Sequence, residues 1–203
     1  MVEKISTHLK SAISAAVTKA EHRTSAEIAV VLVPASDPYQ AYLLLYGFTA
    51  GSIAATVLWW TNTATGFPLL MLVQALAMGI FAFTPLLKTT CMKMLPQRLL
   101  HHHAARRASE EFLFLSRQVP HDRPLVLLYV SLAERYVHIL HSRAASAKIP
   151  AKTWDDIVNS FTALAKKPGL PAAFESAIAK IGDALGAHFP DKGKRNALPN
   201  QVK

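Results

Sequence analysis

The sequence predicts an α/β protein: a small central β-sheet flanked by helices, with a two-helix transmembrane hairpin inserted after the first strand. Three observations carry this. Short runs rich in Val, Leu and Ile read as strands: "EIAVVLV" at 27–33, "LVLLYVS" at 125–131 and "YVHIL" at 136–140. In the segments around them apolar residues recur every third or fourth position, the pattern of helices with one buried face. Between the first strand and the others, from Pro38 to Leu87, 50 residues pass without one Asp, Glu, Lys, Arg or His.

That uncharged run accounts for the composition. The 203 residues are 51% hydrophobic, with a mean hydropathy of +0.22, which is rich for a soluble domain. Residues 39–60 and 67–87 would form helices about 33 and 31 Å long at 1.5 Å per residue, each enough for a hydrocarbon core of roughly 30 Å. The polar "TNTATG" at 61–66 turns the chain between them. Basic residues exceed acidic ones by nine, and Lys88, Lys93, Arg98, Arg106 and Arg107 follow the second span. The turn is uncharged, so the positive-inside rule places both termini in the cytoplasm and sets those cations against anionic lipid headgroups. No secretory signal is read at the start, where Glu3, Lys4, Lys10 and Lys19 interrupt any apolar stretch. A pI near 9.8 would suit nucleic acid, but no basic motif interleaved with aromatics accompanies it, and no nucleic-acid partner is read. The single cysteine, Cys91, excludes an internal disulfide framework and a multi-cysteine metal site.

In chain order, Ile5, Leu9, Ile13 and Val17, with Ala12, Ala16 and Ala20 alongside, predict an amphipathic helix ahead of the first strand. Pro34, Asp37 and Pro38 end that strand. After the hairpin, Leu100, Ala104, Ala108, Phe112 and Leu115 mark one face of a helix that stops before "VPHDRP". The second and third strands are joined by "AER", close enough in sequence for a β-hairpin. Thr153 with Asp156 suggests a capped helix start, with Trp154, Ile157, Phe161 and Leu164 as its stripe. Phe174, Ile178, Ile181, Leu185 and Phe189 mark a last helix, and 191–203 read as a loose tail. The polar parts, 1–37 and 88–190, are each incomplete, and together they make one α/β domain whose first strand pairs with later ones; 38–87 is the membrane hairpin.

Candidate sites are few. His101, His102 and His103 point about 100° apart on a helix, and their i+4 partners include Arg106 and Arg107, so they do not gather around a cation. Gly47, Gly51 and Ala55 form a row of small residues on the first span, and Ala75 with Gly79 one on the second. Such rows suit close packing of the two spans, and a homodimer through the same face is the second reading. Tyr39 and Tyr42 at one end and Trp59 and Trp60 at the other suit interfacial anchoring. No phosphate-binding glycine loop, G-x-S-x-G elbow or H-E-x-x-H pattern occurs, and no catalytic, cofactor-binding or metal-ligating residue is assigned. Ser131, Glu134 and His138 are close in sequence, but strand alternation separates them. Glu134 with Arg135 reads as a surface or turn pair.

"AEHRTSAEIAVVLV" at 20–33 resembles the opening strand motif of the TPM domain family, through Glu21, Thr24, Ser25 and Glu27. "LVLLYVSLAERYVHIL" at 125–140 is similar to that family's central segment, through Ser131, Glu134 and Arg135. Trp154 and the "HFP" of His188, Phe189 and Pro190 resemble its closing helices, and "NALP" at 196–199 an ending found in its bacterial membrane-bound branch. The resemblance implies a small sheet between helices, and for some members acid phosphatase activity or divalent-metal binding. This chain departs from the pattern at Ala26 for Gly, at His138 and Ala197 for Glu, and at His141-Ser142 near the usual Asp. Those changes remove carboxylates that a hard cation would use. The resulting expectation is a bacterial inner-membrane protein whose cytoplasmic TPM-like domain binds or assembles with an unidentified protein partner; a membrane-tethered phosphatase is the alternative.

Overall fold

The computed structural model describes residues 7–61, 63, 66–120, 122–167 and 169–191, excepting the side chains at 85, 86, 88 and 89. Ile5 of the first stripe, Asn62, Ala64 and Thr65 of the turn, the Lys88 side chain and the tail with Asn196–Pro199 lie outside the described residues. The chain separates into two compact units, Asp37–Leu100 and a second made of the residues through Ser36 and from His101 onward.

The second unit is mixed α/β. Its sheet has three strands in the order β1-β2-β3, with β1 at Glu27–Val33, β2 at Leu125–Ser131 and β3 at Tyr136–His141. β1 runs parallel to β2, Glu27 opposite Leu125 and Val33 opposite Ser131, whereas β3 returns antiparallel. Every residue of β2 is buried, which is why its sequence is apolar without alternation. One sheet face carries Ile28, Val30, Leu32, Val126, Leu128, Val130 and Ile139 against three helices: α1 (Thr7–Glu21), α7 (Ala151–Lys166) and α8 (Leu170–His188). The other carries Val31, Leu125, Leu127 and Tyr129 against Ala108 and Leu115 of α5 (Gln97–Ser116). Two-sided coverage excludes water from a sheet too small to stabilise itself.

Where α1 meets α8, glycine sets the distance. A Cβ on Gly182 would stand 2.8 Å from the Ala20 Cβ, and one on Gly186 3.2 Å from the Arg23 carbonyl oxygen. Leu9, Ile13, Val17 and Ala20 are the buried residues of α1, while Ala12 faces out, so the stripe is narrower than the sequence suggested.

The first unit holds α2 (Gln40–Trp60), α3 (Phe67–Phe83) and α4 (Pro85–Met94). The second apolar segment, expected through Leu87, stops at Phe83. Thr84 precedes Pro85, whose ring drives the preceding residue into the extended region and which has no N–H to continue the helix; Thr84 sits at φ −91° and ψ 107°. The same device at Leu95-Pro96 ends α4 and lets α5 start at Gln97, three residues before the expected face begins. The short α6 (Arg143–Lys148) was not foreseen, and β3 runs one residue further than expected. Thr153 is no cap: α7 begins at Ala151 behind Pro150, with no side-chain hydrogen bond at its start.

Candidate functional site

The motif residues gather at the two ends of the β1–β2 pair. At the amino end, the chain leaving α1 is bound to the chain leaving α8. The Thr24 hydroxyl donates to the Phe189 carbonyl at 2.7 Å, the Ser25 N–H donates to the same oxygen at 2.9 Å, and Thr24 bridges Pro190. Glu21 accepts from the Ile28 N–H at 3.0 Å, across the turn between α1 and β1. Glu27 is 2% exposed and takes the Arg123 guanidinium at 2.7 Å. Arg123 went unnoticed in the sequence because it lies 96 positions from its partner. His188, exposed in the last turn of α8, offers its backbone carbonyl, which accepts from Lys148 at 3.5 Å, and Lys148 lies 4.5 Å over the Phe189 ring.

At the carboxyl end, the place where open α/β sheets bind ligands, the polar groups bind one another. Glu134 lies with Arg135 in the turn between β2 and β3, one of the two places expected for it, but it is buried, 3% exposed, and not at the surface. Its Oε1 accepts from the Ser36 N–H at 2.8 Å, and its Oε2 accepts from the Ser131 hydroxyl. Ser36 Oγ and the Tyr129 hydroxyl share a hydrogen bond of 2.9 Å. Burial raises the Tyr129 pKa and the Ser36 bond works against that, followed by weaker influences from Glu134, Arg107 and Glu111. The Leu132 and Ala133 N–H groups donate to the Val33 and Pro34 carbonyls. Glu134 therefore clasps the exit of β1 to the turn between β2 and β3. Arg135, with φ at 51°, takes the left-handed conformation in that turn, a state that costs a non-glycine residue about 1 kcal/mol or more and is held by its surroundings. Ser131 has its hydroxyl on Glu134, and His138 pairs in register with Tyr129, so the three do not form a nucleophile–base–orienter chain.

Neither Ser36 nor Tyr129 could be found from local spacing, since the bond joins positions 93 apart. A row of rings continues from Tyr129: Tyr136 at 6.5 Å, then His138 at 6.0 Å and His101 at 5.6 Å from Tyr136. His102 and His103 turn edge to face at 6.3 Å. Among the described residues no group of three or more His, Cys, Asp or Glu side chains could hold a metal ion. Of the basic residues, Lys93 and Arg98 are exposed. Arg106 pairs with Glu110 at 3.3 Å, and Arg107 with Glu111 at 3.0 Å, both at the i,i+4 spacing visible in "RRASEE". Trp154 is a core residue, 4% exposed, stacked on His141 at 5.3 Å; Trp154 Nε1 and His141 Nδ1 are buried without a hydrogen-bond partner.

Within the helical unit, Gly47 and Gly51 do face α3: added Cβ atoms would meet the Met78 Cα at 2.9 Å and the Ala77 Cβ at 3.0 Å. Ala55 lines a groove beside them with Ser52, Thr56, Trp59 and Gln74. Ala75 and Gly79 do not join this contact. Ala75 is exposed and Gly79 has open space, because α3 turns Gln74, Ala77, Met78 and Phe81 toward α2 instead. Gln74, a residue the sequence reading passed over, donates to the Phe48 carbonyl at 2.9 Å and lies 3.3 Å from Ser52 Oγ. Tyr39 does not face outward. It is 1% exposed, packed with Leu95 and Leu100, and Asp37 accepts its N–H at 3.0 Å. Cys91 is buried, which raises its thiol pKa. Among the described residues α2 is the one helix long and apolar enough to cross a membrane; α3, at 17 residues, is apolar but shorter.

No family model and no curated protein sequence matches the chain. Among solved structures it is similar to the NMR structure of BA42 protein from the psychrophilic bacterium Bizionia argentinensis, with 18% identity over 99% of this chain and 95% of that one. A TM-score of 0.59 at that identity is a likeness of fold.

Proposed function

We propose that this is an integral protein of the bacterial inner membrane, anchored by the α2–α3 hairpin, whose TPM-like α/β unit lies in the cytoplasm and binds or assembles with a protein partner. The observation that carries the anchoring is the outward surface of the hairpin. Leu45, Phe48, Ile53 and Val57 of α2 and Leu72, Leu76, Ile80 and Phe83 of α3 are all exposed. A continuous apolar surface of that kind needs an apolar solvent. Gln74 and Ser52 turn toward each other, which leaves few polar groups for lipid to meet. With 17 residues α3 spans about 25 Å, at the lower limit for crossing. Within the α/β unit, Ser36 before the inserted segment and His101 after it reach the same row of rings, through Tyr129 and Tyr136. A domain interrupted by an insertion needs its exit and re-entry close together in this way.

Binding is favoured over hydrolysis because the buried carboxylates are engaged: Glu134 by Ser36 and Ser131, Glu27 by Arg123. An alkaline phosphatase reporter inserted at Thr63 should be active, and one fused to the C-terminus inactive. The reverse pattern would overturn the topology. Cross-linking on intact membranes, followed by purification in detergent, should retain a stoichiometric protein partner on the α/β unit; recovery of the chain alone would overturn the binding reading.

A further inference from the structure

We propose that the outer edge of β3 is a docking strand for an extended segment carrying acidic side chains, which joins the sheet as a fourth strand. This deepens the binding-module reading and rests on it.

β3 is an edge strand. The Ser142 N–H donates to the Leu125 carbonyl at 2.8 Å, and the β2–β3 register extended by one step sets these two residues opposite each other. Bonded and non-bonded pairs alternate along an antiparallel ladder. Tyr136, His138 and Leu140 therefore direct their backbone groups to β2, while Val137, Ile139 and His141 turn theirs outward. No hydrogen bond reaches those outward groups among the described residues. The Ile139 side chain belongs to the core beneath the sheet, 4% exposed, and Val137 and His141 on either side of it are half-buried. The strand also lacks the usual guards of a free edge. It contains no Pro and no Lys, and its six pairs with β2 run without a bulge.

Charge selects the occupant. Arg135 enters β3 and Arg143 follows it, both exposed, and neither guanidinium has an ion-pair partner among the described residues. They stand at the two ends of the edge, eight positions apart in sequence. A second copy pairing antiparallel about Ile139 would set each Arg135 against the other copy's Arg143, two like-charge contacts. A strand with a carboxylate at either end meets both arginines, and backbone bonds to Val137, Ile139 and His141 supply the affinity, as in other strand-addition complexes.

The test uses the full chain in detergent and nine-residue fluorescein-labelled peptides, seven alternating Val and Thr residues between two Asp or two Lys. In fluorescence anisotropy the Asp-ended peptide should bind at least tenfold more tightly than the Lys-ended one. Methylating alternate backbone nitrogens on its bonding side should cost at least tenfold. Arg135→Asn, which tolerates the left-handed conformation, combined with Arg143→Glu should remove the preference without unfolding the chain. Equal binding of the two peptides, binding of neither, or full binding of the methylated peptide would overturn the proposal. So would self-association in sedimentation that Val137→Pro abolishes, which would assign the edge to a second copy. A partner that cross-links elsewhere on the α/β unit while the peptides fail would refute this edge alone; loss of both would refute the binding reading itself.

Discussion

The helical hairpin and the α/β unit use glycine alike and polarity in opposite senses. In both, two helices approach closely at glycines, Gly47 and Gly51 against α3 and Gly182 and Gly186 against α1 and the chain leaving it. In the α/β unit the apolar residues fill the two faces of the sheet, and the buried polar residues, Thr24, Glu27, Ser131 and Glu134, are paired at or beside the strand ends. In the hairpin the apolar residues point outward, and Gln74 and Ser52 meet at the helix contact. Backbone proximity is thus a packing device common to both units, whereas their apolar surfaces point in opposite directions, inward in the α/β unit and outward in the hairpin.

The largest expected effect comes from removing that difference. Replacing Gln40–Phe83 with a flexible Gly/Ser linker should give a chain that stays in solution without detergent and unfolds in one cooperative transition, followed by circular dichroism. A chain beginning at His101 should aggregate, because without β1 the fully buried β2 becomes an apolar edge. Equal solubility of the two would break the comparison.

Next is the clasp in the α/β unit. Glu134→Ala leaves the Ser36 N–H and the Ser131 hydroxyl without their acceptor, and hydrogen bonds to a buried charged group each contribute roughly 1.5–3 kcal/mol. Denaturant unfolding in detergent should show a loss of about 3 kcal/mol, with Glu134→Gln recovering part of it through one amide oxygen. A loss under about 0.5 kcal/mol, the scale of an ordinary surface substitution, would return Glu134 to the surface role that its sequence context suggested.

The strands and most of the helix stripes were legible because each depends on local period: alternation or continuity for strands, three to four residues for helices. That β1 pairs with later chain followed from its lack of a partner in its own half, whereas the parallel sense of that pairing has no local signal. Two breaks were legible and passed over. Thr84-Pro85 and Leu95-Pro96 each carry a residue forced out of the helical region by the proline after it, inside stretches whose apolar content dominated the reading. The candidate site was legible only in its members. Glu134 and Ser131 stand out in "SLAER", but burial of the pair depends on Ser36 and Tyr129, which the parallel pairing brings from distant sequence. The direction that α3 faces was not legible at all. Ala75 and Gly79 form a row as plausible as Ala77 and Met78, and the Gln74–Phe48 bond that lies on the contacting side joins positions 26 apart.

The glycines offer a matched series across the two units. Gly47→Ala brings a Cβ to 2.9 Å from the Met78 Cα, and Gly182→Ala to 2.8 Å from the Ala20 Cβ. Overpacking of that kind costs roughly 1–3 kcal/mol, and both should lower the thermal midpoint. Gly79→Ala meets nothing within 4 Å and should hold or slightly raise it, through the better helix propensity of Ala. A cost at Gly79 equal to that at Gly47 would mean that the second row of small residues is packed after all.

The smallest effect is a pH dependence confined to the α/β unit. Partial burial is the main cause that lowers the His138 pKa from 6.5; His141 lowers it further and Asp155 opposes the change. A histidine whose folded pKa lies below its unfolded value binds its proton more readily when the chain is unfolded. Its contribution to stability is therefore fully present above about pH 6.5 and declines as the pH falls from there toward the folded pKa. Thermal midpoints measured between about pH 7.5 and 5 should fall on the acid side, and His138→Gln should flatten that fall while leaving the value at about pH 7.5 nearly unchanged. Removing Asp155, which favours the charged ring, should steepen it. The excised α/β chain should keep the same slope as the full one, because no titratable side chain lies between Pro38 and Leu87 other than the tyrosines, which ionise far above this range. A slope that survived His138→Gln unaltered would move the titration to another group and remove His138 from the account.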